Sequence, residues 1–241
     1  VQVGQVVFVV LALHNREVDF RSLLQNPADN ILVDGAQAVK INAVTHALFH
    51  RRADLGRLGR RRRLKGTPGR GTLEKDINLA IALRLERMLQ AADVKTVMTR
   101  RADEGLDSRK NGSKKVEDLK NRCALISKSK PDCVVSVHQN SYQDAAIRGA
   151  QTFYYADSAE GKRLAQLIQQ QLISHVAPDN HREAKGNKSY YLLKKTDAPI
   201  VIAECGFLSN PEEEKLLKTA EYQEKTAWAI YMGVMAFLNA G

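Results

Sequence analysis

The chain has 241 residues, of which 44% are hydrophobic and 27% are charged, and its formal net charge is +10. This composition is ordinary for a globular protein that buries a core. The dense apolar run at 6–13 is far too short to cross a bilayer, and the three cysteines have no paired spacing that would indicate a disulfide framework.

The positive charge is concentrated in one segment. Residues 51–70 contain nine Lys or Arg against one Asp, so this segment supplies +8 of the total and the remainder is close to neutral. Such a segment indicates a solvated arm, a contact with an anionic polymer or an envelope surface, or a corrupted stretch of sequence. General nucleic-acid binding is not expected.

The predicted elements begin with a strand at 5–13. The apolar run at 6–13 is also typical of what remains of a removed targeting segment. Because the chain begins with Val, an absent leader stays an alternative. From residue 73 onward, helical and strand patterns alternate. The predicted order is helix 73–91 capped by Thr72, strand 94–100, a helix around 116–126, strands 133–138 and 150–155, a helix spanning 164–172, strands 189–193 and 199–207, and a helix at 221–239.

This alternation predicts an α/β fold, with a mixed, largely parallel sheet flanked by helices on both faces in a single domain. Residues 1–70 lack the same regularity. We therefore expect an irregular N-terminal segment at 1–70, with a first strand and an Arg/Gly-rich loop, followed by a catalytic domain at 71–241.

Three polar residues stand where hydrophobic patterns end. Glu74 opens the first long helix, His138 ends the strand "VVSVH", and Glu204 interrupts "IVIAECGF". Each has a structural interpretation: a helix-start carboxylate, a hydrogen-bonded histidine and a buried ion pair. Glu204 is the hardest to explain structurally, because an ionised carboxylate inside a buried strand costs several kcal/mol unless it is paired, metal-bound or protonated.

The segment after Glu204 reads as a helix start. Asn210 fits an N-cap and Pro211 fits the first helical position, so the glutamates at 212–214 are expected to line the positive end of the helix and are not counted as catalytic. Gly206 is expected to let the chain turn at the strand end.

Six segments in register resemble a known family. They are "GTLEKDINLAIAL", "TVMTRRAD", "SVHQNS", "RGAQTFYY", "YYLLKKTDAPIVIAECGFLSNPEEEKLL" and "YQEKTAWAI". Their order is similar to that of zinc-dependent N-acetylmuramoyl-L-alanine amidases, the type-3 amidase family that cuts peptidoglycan, and most of all to the spore-cortex type. The resemblance covers the chain from Gly71 to its end.

The resemblance implies a role for each of the three polar residues. Glu74 and His138 become zinc ligands, and Glu204 becomes the general base for a zinc-bound water that attacks the bond between N-acetylmuramic acid and L-alanine. Asn140, Arg100 and Arg122 become candidate substrate-binding residues, although the two arginines also fit pairing with helix carboxylates. The implied location is extracytoplasmic, in the envelope, in the forespore or secreted, and the implied partners are peptidoglycan and a protein activator.

The chain departs from the family at the first zinc ligand, which lies there in a Gly-rich turn. The segment most similar to this turn is "HRRADLGRLG", so His50 is the first candidate for the missing zinc ligand. His14 is the second candidate. A site without a third ligand is the remaining alternative. Residues 14–70 are then either an authentic insertion or a damaged gene segment, because out-of-frame translation of GC-rich DNA gives similar Arg/Gly/Leu-rich sequence.

These observations leave three hypotheses for function. The first is a zinc amidase. The second is a degenerate peptidoglycan-binding domain without a complete zinc site. The third is a binder of anionic polymer through the basic segment 51–70, which makes no use of Glu74, His138 and Glu204.

Overall fold

The computed structural model describes residues 8–13, 30–31, 39–40, 73–106 and 114–240. The chain forms two compact units, one of 1–15 with 66–241 and one of 16–65. In the second unit the described residues are two short antiparallel strands, Asn30–Ile31 (β2) and Val39–Lys40 (β3). Residues His14, His50 and 51–70 lie outside the described residues.

The first unit is an α/β structure. Its described elements are β1 (Phe8–Leu13), α1 (Glu74–Ala91), β4 (Lys95–Met98), α2 (Lys114–Ser129), β5 (Cys133–Asn140), β6 (Gln151–Tyr155), α3 (Ala159–His175), β7 (Lys185–Asn187), α4 (Tyr191–Lys194), β8 (Ile200–Phe207), α5 (Pro211–Leu217) and α6 (Ala220–Asn239). Among the helices that the structure describes, none combines the length and the apolar character that crossing a bilayer requires.

The sheet has six strands in the order β4-β1-β5-β8-β6-β7. Pairs β5–β8 and β6–β7 are parallel, whereas β1–β4, β1–β5 and β6–β8 are antiparallel. The mixed α/β class is confirmed, but less of the pairing is parallel than the sequence predicted, because a buried apolar run does not encode strand direction. Strand β1 lies between β4 and β5, so the α/β unit includes the N-terminal strand as well as the residues from 73 onward.

Helices cover both faces of the sheet. On one face α1 packs on β1, β4 and β5, α3 packs on β6 and β8, and α6 lies against both helices. The α3–α6 contact is so close that a Cβ at Gly233 would lie 2.6 Å from the Cα of Ile168. On the other face α2 and α4 join the core cluster of Ile126, Val134, Phe153, Leu192, Leu193, Ile200 and Ile202.

The strand predicted at 189–193 is wrong. The chain instead forms β7 at Lys185–Asn187 and then the short helix α4. The Asn187 side-chain oxygen accepts hydrogen bonds from the Ser189 and Tyr190 amides. This side-chain turn redirects the backbone after β7, and the aromatic pattern "SYYLL" did not reveal it.

One local expectation is untested and another is corrected. Helix α1 begins at Glu74 after Leu73, which makes no side-chain cap, and Thr72, the predicted cap, lies outside the described residues. Gly206 does not end its strand but lies inside β8, where a Cβ would come within 3.2 Å of the Leu217 side chain. The Asn210 cap is confirmed: its side chain accepts from the Glu212 and Glu213 amides, and Pro211 opens α5.

Candidate active site

The fold brings the three polar residues together. Strands β5 and β8 are parallel neighbours, and their register places Glu204 directly opposite His138. Helix α1 packs on β5, and its first residue is Glu74. His138 lies two residues before the end of β5 and Glu204 three before the end of β8, so a helix start and the C-terminal halves of two strands meet near one edge of the sheet. Ligands of α/β proteins usually bind at this edge.

Glu74 and His138 are in direct contact. His138 Nδ1 lies 3.1 Å from Glu74 Oε1, and the same oxygen accepts hydrogen bonds from the Gln139 backbone amide at 3.2 Å and from Asn78 Nδ2 at 3.2 Å. Gln139 Nε2 donates in turn to Asn78 Oδ1 at 3.1 Å. Asn78, His138 and Gln139 are all buried, so this network fixes the Glu74 carboxylate before any ligand arrives.

Among the buried polar atoms that have no hydrogen-bond partner in the described part of the chain, two belong to the three predicted site residues. They are His138 Nε2 and Glu204 Oε2, and both residues are only 3% exposed. Because the great majority of buried polar atoms are bonded, two such atoms on neighbouring strands indicate that a further group belongs in this site.

The pKa of Glu204 is raised to about 7, mainly by burial, with the Glu74 charge acting in the same direction and His138 opposing it. Burial alone lowers the pKa of His138, but its hydrogen bond to Glu74 and the charges of Glu204 and Glu74 outweigh burial, so the net pKa is raised. A carboxylate with a pKa near neutrality is well matched to taking up and releasing protons.

The raised pKa of Glu204 makes folding stability depend on pH. The folded state holds this proton more tightly than the unfolded state, so the free energy of unfolding falls as the pH rises from 4.5 to about 7. In metal-free protein, the wild type should lose about 3 kcal/mol of unfolding free energy relative to Glu204→Gln when the pH rises from 4 to 8, because the variant has no carboxyl group to titrate at this position. Urea unfolding at both pH values measures this, and a difference that does not change with pH would contradict it.

The donor atoms of Glu74 and His138 fit a zinc ion. A carboxylate oxygen and an imidazole nitrogen are donor types that zinc binds, and the Nδ1–Oε1 contact of 3.1 Å places one of each side by side. Within the described ranges no group of three or more His, Cys, Asp or Glu side chains has metal-binding geometry. A third ligand would have to come from outside those ranges, where both His50 and His14 lie.

The other predicted site residues have different surroundings. Arg122 is 0% exposed, and its guanidinium binds Asp118 and Thr99, which favours the structural alternative over substrate contact. Arg100 is also buried and donates to the Lys75 carbonyl at 2.7 Å, so it supports the first turn of α1 next to Glu74. Asn140 lies half-buried at the end of β5, where its side chain accepts from the Ser141 amide.

Sequence reasoning missed three polar residues of this region. Asn78 and Gln139 hold Glu74, and the four-residue step from Glu74 to Asn78 was the available signal for the first of them. Glu213 is the third. Its carboxylate accepts from the Gly149 amide at 3.0 Å and from the Phe207 amide at 2.7 Å, which ties the start of β6 to the end of β8.

Comparisons with known proteins agree with this architecture. Residues 54–236 match the family model described as N-acetylmuramoyl-L-alanine amidase. The germination-specific N-acetylmuramoyl-L-alanine amidase of Bacillus subtilis is 35% identical over 72% of this chain and 74% of its own length. The CwlD amidase of Clostridioides difficile, solved in complex with the GerS lipoprotein, is 42% identical with a TM-score of 0.69, over 70% of this chain and 88% of that one.

Proposed function

Because the chain belongs to the N-acetylmuramoyl-L-alanine amidase family, and is an enzyme of that type, we propose that it hydrolyses the amide bond between N-acetylmuramic acid and L-alanine in peptidoglycan. The observation that carries this proposal is the Glu74–His138 contact of 3.1 Å with Glu204 opposite His138 on the next strand. A ligand pair beside a raised-pKa carboxylate is the arrangement that amide hydrolysis requires.

Zinc is the proposed cofactor, with Glu74 and His138 as two of its ligands and His50, or else His14, as the third. When bound, zinc lowers the pKa of water to about 7 and polarises the carbonyl that is attacked. Glu74 supplies negative charge from an oxygen that Asn78 and Gln139 hold in place. His138 supplies a neutral ring nitrogen from the buried part of β5.

Glu204 is the proposed general base. Its carboxylate takes a proton from the attacking water and then delivers that proton to the amine of the departing L-alanine. A pKa of about 7 lets the ionised and the protonated forms interconvert near neutral pH. Burial keeps bulk water from competing for the proton.

The non-catalytic alternative is not favoured. A degenerate wall-binding domain has no need for a ligand pair, a base with a raised pKa and two unpartnered buried atoms, yet all of these occur within the site. Binding of an anionic polymer through 51–70 remains a separate hypothesis, because that segment lies outside the described residues.

The substrate implies an extracytoplasmic location, in the cell envelope, in the forespore or in a secreted form. A protein partner is a further part of the proposal, because the CwlD relative was solved in complex with a lipoprotein.

Digestion of purified peptidoglycan tests the proposal. The enzyme should expose new L-alanine amino termini and release intact stem peptides, as identified by amino-terminal labelling and mass spectrometry. Chelation should abolish the release and added zinc should restore it. Cleavage at another bond, or release of stem peptide that survives thorough chelation, would overturn the proposed reaction or its metal.

A further inference from the structure

Gln151 lies next to the site residue Glu204, on the neighbouring strand of the sheet. Strand β6 pairs with β8 so that Gln151 lies opposite Glu204, which itself lies opposite His138. Partners on neighbouring strands point to the same face and lie about 5 Å apart. Gln151 therefore follows Glu204 on the catalytic face, one strand farther from His138.

Gln151 is joined to Arg182, whose guanidinium is held firmly. Arg182 Nη1 donates to Gln151 Oε1 at 3.3 Å and its Nε donates to the Arg148 carbonyl at 2.8 Å. The guanidinium carbon also lies 5.0 Å from the centre of the Phe207 ring. Gln151 is fixed from its other end, because its Nε2 donates to the Glu183 carbonyl at 2.9 Å.

The charge of Arg182 is not neutralised by a carboxylate within 4.0 Å among the described residues. Five other described arginines do pair with a carboxylate: Arg84, Arg101, Arg122, Arg148 and Arg163. A half-buried guanidinium that is already immobilised loses little conformational entropy when it binds an anion.

There is also space for a ligand at this position. A cavity of about 410 Å³ opens beside Arg182, and Gly149 and Tyr222 are among its lining residues. Three carboxylates also line it, and each already has partners: Asp179 and Glu212 pair with Arg148, and Glu213 accepts from two backbone amides. Gly149 has a φ of 100°, and a Cβ there would meet the Asn180 side chain at 2.5 Å, so the tight turn that borders the cavity requires glycine.

We propose that Arg182, positioned by Gln151, binds a carboxylate of the stem peptide beyond its L-alanine. This inference rests on the proposed function, because Glu204 marks where the scissile bond lies. One strand spacing and a glutamine side chain separate Glu204 from the guanidinium by on the order of 10 Å, which two or three extended residues span. The acidic residue that follows L-alanine is the ligand with the right charge and reach, and a guanidinium binds a carboxylate through two parallel hydrogen bonds.

Two synthetic muropeptides that differ in one group test the subsite. The first is muramyl-L-alanyl-D-glutamate, and the second carries an amide in place of the α-carboxylate. The wild type should prefer the acid by about tenfold to hundredfold in kcat/KM, mostly through KM. Arg182→Gln should lose this preference and keep its rate on the amide, whereas Arg182→Lys should keep part of it. Arg163→Gln is the matched control and should behave as wild type, because Arg163 pairs with Glu160 on α3 and does not line the cavity.

A binding measurement separates this inference from the proposed function. Zinc-loaded Glu204→Gln should bind the acid more tightly than the amide, and adding Arg182→Gln should equalise the two affinities. Equal affinities in Glu204→Gln, or a preference that survives Arg182→Gln, would overturn the subsite even if the enzyme is active. If the wild type cleaves neither compound nor peptidoglycan, the proposed reaction fails, and the binding result still decides the subsite.

Discussion

Glu204→Gln is expected to lower kcat for stem-peptide release by about a thousandfold and to leave one zinc bound per chain. The amide has nearly the size of the carboxylate but cannot take a proton from water at neutral pH. Because Glu204 is proposed as a base and not as a ligand, metal content should not change. The measurement pairs turnover on muropeptides with zinc determination on the same preparation.

A glutamate on the surface of α6 is the matched control. Glu221 pairs with Lys225 in an exposed ion pair, so Glu221→Gln should keep wild-type turnover and wild-type zinc content. Two results would contradict the assignment of Glu204: turnover within a few fold of wild type in Glu204→Gln, or loss of zinc from that variant, which would make the residue a ligand.

Removing either proposed ligand should weaken metal binding severely and abolish turnover. His138→Ala and Glu74→Ala each leave the zinc with one ligand fewer, so we expect metal affinity to fall by more than the 10–100-fold that loss of an outer hydrogen-bond partner costs. Competition with a chromogenic chelator measures the affinity, and circular dichroism checks that the variants fold.

Asn78→Ala provides the graded comparison. Asn78 contacts Glu74 Oε1 without being a proposed ligand, so its loss should weaken zinc binding by about 10–100-fold while a functional site remains at saturating zinc. Wild-type zinc affinity in His138→Ala, or equal losses in His138→Ala and Asn78→Ala, would contradict the proposed ligand set.

The sequence was sufficient to predict the layer structure and the meeting of three site residues. Helical and strand periodicities differ, so most elements between 73 and 240 were predicted with the right type and order. Glu74, His138 and Glu204 each stand at a helix start or in a buried strand, and such ends converge in α/β proteins. The His138–Glu74 contact follows from that topology.

Interactions that depend on distant side chains were not predictable in the same way. The direction of β1 and β6, the Asn187 turn and the network of Asn78 with Gln139 all arise from contacts between residues far apart in sequence or from side-chain hydrogen bonds. Arg122 illustrates the difficulty, since the same residue type serves equally well in a buried ion pair and in substrate binding.

The identity of the remaining zinc ligand is still a prediction, with His50 as the first candidate and His14 as the second. Both histidines precede residue 54, where the match to the family model begins. Substituting each histidine in turn and measuring zinc affinity distinguishes the two.

The most direct measurement is a crystal structure of the zinc-loaded, active enzyme with anomalous diffraction at the zinc edge. We expect a single zinc bonded to a Glu74 oxygen and a His138 ring nitrogen at about 2.0–2.2 Å, with the Glu204 carboxylate nearby but not coordinated. An active enzyme whose zinc lies elsewhere, with the Glu74–His138 hydrogen bond of 3.1 Å still intact, would contradict the account.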